Sequence, residues 1–191
     1  MDDELVLDVE TKKTFRDVGG NFPEKLGLSV VCAYSSKRDK YYSFLEQELD
    51  GLWPLMESAE RVIGYNIANF DMNVLRPYYI GKMEHFPVFD LMLEIVNSIN
   101  FRPKLDSVAK ATLGVSKLGN GLDAIEYFSK GEIEKLKEYC LKDVEITWKV
   151  YDYGRKNGKL LVLDLFGKPL EFKVDFNKKT ERKDIGLTLP F

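Results

Sequence analysis

Apolar and polar positions change rhythm twice along this chain. Residues 5–11, rich in Val and Leu, read as a buried β-strand that abruptly acquires two acids, Asp8 and Glu10. A polar stretch with Gly19-Gly20-Asn21 and Pro23 reads as a loop. Residues 28–34 are apolar almost throughout, the pattern of a strand covered on both faces. A hydrophilic turn, 35–40, leads into a third strand, 41–45, and connections this short predict an antiparallel meander.

Helical spacing then takes over. Leu49, Leu52, Trp53 and Met56 predict a helix over 46–59, limited upstream by Pro54. Residues 61–66 form a short strand leading into a helix over 69–79, and 87–90 a last short strand followed by a helix over 91–98. A compact amphipathic helix covers 105–113, a Gly-rich loop 114–121 and a further helical turn 122–128. The longest helix spans 132–156, with Ile133, Leu136, Tyr139, Cys140, Val144, Thr147, Trp148 and Tyr151 at helical spacing and Asn157-Gly158 as its stop. Residues 160–166 and 170–176 pattern as a β-hairpin around Gly167-Lys168-Pro169. The predicted class is α/β: a mixed sheet of three antiparallel strands and then alternating strand–helix units, with helices on both faces. The main domain covers 1–158, the hairpin 159–177 packs on it, and 178–191 form a charged tail.

Composition narrows the functional classes. A chain of 191 residues, 45% apolar and 31% charged, has the size and make-up of one substantial soluble domain. No apolar run is long enough to span a bilayer, and the acidic N-terminus lacks the layout of a secretory signal. Cys32 and Cys140, with no Cys-x-x-Cys and no nearby His, read as reduced, buried thiols of a cytoplasmic protein. A net charge of −3 argues at face value against a strongly basic nucleic-acid binder. Counting four acids as cation ligands would reverse that sign, so a locally basic groove stays open.

Alternation places Asp8 and Glu10 on one face of their strand, about 6–7 Å apart. Two neighbouring carboxylates repel, and a hard divalent cation such as Mg²⁺ or Mn²⁺ offsets that repulsion. Taken alone, a solvated strand end explains the pair as well. Asp71 begins the helix after the 61–66 strand, at the sheet edge where α/β folds carry their sites, and equally reads as an acid favoured by the helix dipole. Tyr139 and Asp143, four apart, share one face of the long helix, which also fits a core tyrosine beside a solvated acid.

Together these segments resemble the 3′–5′ exonucleases of the DEDD superfamily, on an RNase H-like fold, and specifically its tyrosine branch. The chain is similar there to the proofreading domain of family B DNA polymerases and its stand-alone relatives. Asp8-Val9-Glu10 matches the first motif, Asn66 through Phe70-Asp71 the second, and Tyr139 through Asp143 the third. Lys104 to Lys110 looks like the helix these enzymes carry between the second and third motifs. The sister branch places a His five residues before the last Asp; here that position is Glu138, and the only histidine, His85, reads as a surface residue.

The resemblance implies two divalent ions, Mg²⁺ or Mn²⁺, held by Asp8, Glu10, Asp71 and Asp143, with Tyr139 as a further catalytic residue that orients water. It implies Thr11 and Asn66 as contacts to the terminal nucleotide, Phe70 packed beneath Asp71, and no ligand role for Asp90. The substrate implied is single-stranded or frayed nucleic acid with a free 3′ end, DNA favoured, in proofreading or repair. Lys12, Lys13, Arg16, Arg102, Lys104 and Lys117 are the cations available to track a strand. The end of the tail, Gly186 to Phe191, looks like a sliding-clamp-binding peptide that lacks the usual leading Gln. The rival reading is a catalytically inactive nucleic-acid-binding or scaffolding module of the same fold. A two-carboxylate glycosidase gives no reason for Asp71 or Tyr139.

Overall fold

Alternation along the first strand, β1 (Glu4–Thr11), sorts the interior into two layers. In the computed structural model, which describes residues 3–116, 121–164 and 166–178, β1 is the middle of a five-stranded sheet. On one side it pairs antiparallel with β2 (Leu28–Ser35), which pairs antiparallel with β3 (Lys40–Leu45). On the other it pairs in parallel with β4 (Arg61–Gly64), and β4 with β5 (Val88–Asp90). The antiparallel meander and the later strand–helix units are both as the sequence predicts. The register shifts between Glu10, paired with Val30, and Thr11, paired with Leu28, which leaves Ser29 as the extra residue of a β-bulge on β2 just past the acids.

Leu5, Leu7 and Val9 face one layer, built with Leu55 and Met56 of α1 (Trp53–Ser58) and Met72, Val74 and Leu75 of α2 (Asp71–Leu75). Val6 faces the other, with Leu91 and Ile95 of α3 (Leu91–Ile99) and Leu105, Val108 and Ala109 of α4 (Leu105–Leu113). Ala124 of α5 (Gly121–Ser129) and a long stripe on α6 (Ile133–Asn157) complete that layer. β2 is buried at every position, as a strand between two layers must be.

Two helices are shorter than their periodicity predicts. The 46–59 segment is a 3₁₀ helix over Glu46–Gly51 and only then α1, with Pro54 in its first turn, where a missing N–H does no harm. The 69–79 segment is five residues of α-helix followed by a 3₁₀ turn at Arg76–Tyr78, because Pro77 cannot donate to the α ladder. The hairpin is also shorter at both strands, β6 (Lys159–Leu163) with β7 (Pro169–Lys173). The chain then returns over α6: buried Arg61 donates to the Tyr151 hydroxyl (2.8 Å), to the Phe176 carbonyl (2.7 Å) and to the Lys178 carbonyl. Lys117, most of the tail and its clamp-like end lie outside the described residues. Among the described residues no helix is long and apolar enough to cross a membrane.

Candidate metal centre

Asp8 and Glu10 follow Val6 on the face of β1 that lies under α6. That helix comes close because small side chains meet at the crossing. Asp8 sits across from Cys32 on β2, and the Cys140 thiol of α6 donates to the Asp8 backbone carbonyl at 3.3 Å. Both thiols are free and buried, as expected for a reduced pair; burial, and then Cys32 beside it, raise the Cys140 thiol well above its ordinary value. One turn beyond Cys140, Asp143 enters the same space and is 2% exposed. Carboxylate oxygens of Asp8, Glu10 and Asp143 all lie within 4.8 Å of one another.

Asp71 stands outside that triangle but is fastened to the same strand. β4 pairs with β1 only as far as Val6, so the β1 edge beyond it is open on that side. The Val9 N–H, between the two acids of β1, donates to Asp71 Oδ1 at 3.0 Å. At 3% exposure, Asp71 is a buried carboxylate at the start of a five-residue helix rather than a solvated one.

Tyr139 is 5% exposed on the face of α6 that carries Asp143. Burial pushes its phenol far above the ordinary value of 10.0, and the charges of Asp143, Glu10, Asp8 and Asp123 push it further. In the metal-free site the group is therefore a phenol at neutral pH. Its electrostatic surroundings place it among the same acids, together with Asp123 from the first turn of α5.

The residues expected to contact substrate are placed less directly. Thr11 is buried and its hydroxyl donates to the Lys13 carbonyl (3.0 Å). Asn66 takes a left-handed backbone conformation (φ 67°), and its Oδ1 accepts from the Arg102 guanidinium at 3.0 Å. Phe70 meets Phe15 edge to face at 6.0 Å, from the loop that follows β1. Lys12 is drawn inward: it is paired with Glu46 and lies 5.5 Å from the centre of the Phe128 ring. Lys13, Arg16, Arg102 and Lys104 are exposed, and so is His85.

Two neighbours of the site were not singled out for it by the sequence. Asp123 depends on how α5 packs on α6, for which no local signal exists. Asp90 had one: an acid immediately before an apolar helical run is the mark of a helix N-cap. Three carboxylates converging from a strand and a helix offer only hard oxygen donors, with the nearby thiol kept protonated. That donor set fits a divalent cation such as Mg²⁺ or Mn²⁺.

Comparison with known proteins agrees with this fold. A sequence profile described as the RNase_H superfamily matches residues 6–154, from the second apolar position of β1 to the last turns of α6. No curated protein matches the chain in sequence. Among solved structures, the family B DNA polymerase of the hyperthermophilic archaeon Pyrobaculum calidifontis superposes with a TM-score of 0.62 at 18% identity. The superposition covers 81% of this chain and 24% of the polymerase, so the chain spans about a quarter of that protein.

Proposed function

The chain belongs to the RNase H superfamily, and on that premise we propose that it is a metal-dependent 3′–5′ exonuclease. It would hydrolyse phosphodiester bonds at the 3′ end of single-stranded or frayed nucleic acid, DNA favoured, and release nucleoside 5′-monophosphates. The observation that carries the reading is the convergence of Asp8 and Glu10 from β1 with Asp143 from α6, beside a buried, protonated Tyr139. The order of the acids and the Tyr139–Asp143 pair also fit the tyrosine branch of the DEDD exonucleases.

Asp8, Glu10 and Asp143 would hold the cations, with Asp71 completing the set from the other edge of β1. Two bound divalent ions supply Lewis-acid chemistry, lowering the pKa of water and stabilising charge on the phosphoryl group and the departing 3′ oxygen. Tyr139, a phenol buried beside these acids, would orient the attacking water by hydrogen bond rather than act as a base. Attack forms the new P–O bond as the bond to the 3′ oxygen breaks, and that oxygen leaves as a hydroxyl. Exposed Lys13, Arg16 and Arg102 offer charge to the strand, and the Phe15–Phe70 pair offers aromatic faces to a terminal base.

Proofreading in trans or repair, in a cytoplasm that keeps Cys32 and Cys140 reduced, is the setting this chemistry suits. A clamp contact through Gly186 to Phe191 is part of the same proposal, tested by titrating that peptide against a clamp. The enzymatic test is release of monophosphates from a 3′-labelled oligonucleotide with Mg²⁺ or Mn²⁺, using EDTA controls, matched DNA and RNA strands, and either end blocked. Release from the 5′ end, internal cleavage, or activity unaffected by EDTA would overturn the proposal.

A further inference from the structure

Asp90 makes more bonds than a helix cap requires. It ends β5 level with Gly64, the last residue of β4, and it is buried. As N-cap of α3, its Oδ1 accepts from Met92 N (3.0 Å) and Leu93 N (3.3 Å). The same carboxylate also accepts from a second segment: Oδ1 from Asn66 N (2.9 Å) and Oδ2 from Ala68 N (3.1 Å). Those two N–H groups belong to the turn that carries the chain from β4 to Asp71.

Other contacts brace that turn from its far side: the Met72 N–H donates to the Ile67 carbonyl (3.0 Å), and the Asn73 amide to the carbonyls of Ala68 (3.3 Å) and Asn69 (3.1 Å). Asn66 is in the left-handed region, and Asn69 N and Phe70 N both return to the Asn66 carbonyl (3.2 and 3.1 Å). Ile67 is fully buried, so close to Gly64 that a Cβ there would come within 2.7 Å of it. α2 is only five residues long, too short to fix its own start. The direction in which Asp71 enters the site is therefore set by the turn, and two of the turn's N–H groups are held by Asp90.

We propose that Asp90 is a positioning residue: its two oxygens lock the 66–68 turn to the end of the sheet and so hold Asp71 against β1. This rests on the exonuclease reading for its effect on rate, but not for its effect on geometry. Asp90→Ser separates the two roles. Serine caps a helix as well as aspartate does, but has a single oxygen with which to serve both segments. Asp90→Asn keeps the size and places an amide donor opposite an N–H.

Both variants are compared with the wild type by backbone amide exchange without metal and by steady-state hydrolysis with it. The expected result is loss of protection at Ala68 and at Val9, whose N–H reports the Asp71 contact, with Met92 and Leu93 still protected in Asp90→Ser. In the same variant kcat falls about 100-fold, the scale of an ångström-level misplacement, with KM little changed. Exchange faster only at Met92 and Leu93, with Val9 protected and kcat unchanged, would reduce Asp90 to a cap and overturn the proposal. Failure of the exonuclease reading would look different: a wild type without 3′–5′ activity, while the Val9 amide still loses protection in the variants.

Discussion

Replacing Asp143 with Asn should stabilise the metal-free protein while abolishing hydrolysis. The substitution removes one charge and almost no volume from a buried position. Carboxylate oxygens of Asp8, Glu10 and Asp143 lie within 4.8 Å of one another. At that separation a pair of unit charges repels by about 0.9 kcal/mol in bulk water and by about 3.5 kcal/mol at an effective dielectric of about 20. Asp143 faces two such neighbours, and its other buried interactions offset part of the repulsion, so a gain of about 1–2 kcal/mol is expected. For a chain of this size each kcal/mol moves Tm by about 2–4 °C. Melting in EDTA should therefore show Asp143→Asn above the wild type by several degrees. Millimolar Mn²⁺ should reverse the order, because saturating the wild-type site about 100-fold over its Kd adds about 2.7 kcal/mol that the variant does not gain. A variant that melts several degrees lower in EDTA, or that gains as much from Mn²⁺ as the wild type, would refute the metal-site reasoning. Such a result would make Asp143 an ordinary structural acid.

Tyr139→Phe should lower kcat by about 100-fold with KM and Tm little changed, and an unchanged kcat in single-turnover assays would mean that another group orients the water. Gly154→Ala should destabilise by about 1 kcal/mol although alanine gains about as much in helix propensity. Its Cβ would lie 2.5 Å from the Phe176 ring, which stacks on Tyr151 and meets Phe89 edge to face, so the ring has no room to yield. A higher Tm would show that the returning C-terminal segment is not docked there in solution. Glu46→Gln tests the contact that draws Lys12 inward: Lys12 and then Tyr78 lower the Glu46 pKa below its ordinary 4.5. Its folded pKa is depressed, so its contribution is complete above the unfolded value and disappears as pH falls through the folded pKa. The Tm difference between wild type and Glu46→Gln should be constant from neutral pH down to about 5 and shrink below about 4.5. A difference that persists unchanged at pH 3 would rule out the ion pair as its source.

Sequence by itself determined more of this protein than its low identity to a solved fold suggests. The apolar run Leu5-Val6-Leu7 made β1 a buried strand, and the period-two rule put Asp8 and Glu10 on one face. Spacing of four on a helix that had to bury Leu136, Cys140 and Val144 put Tyr139 and Asp143 together on a buried face. Periodicity overstated the helices at 46–59 and 69–79, because apolar spacing does not register what a proline does to the hydrogen-bond ladder. What a local pattern cannot carry is which faces meet. Only the tertiary structure decided that α6 crosses β1 at Cys140, that Asp71 is tied to the Val9 N–H, and that Lys12 turns inward to Glu46. It alone turned Asp90 from a strand end into a bridge between one turn, 22 to 24 residues upstream, and the start of α3. The reason is physical: a side chain's partners across the sheet depend on strand order and on where each strand stops. β4 stops three pairs along β1, and that stop opens the edge on which Asp71 is held.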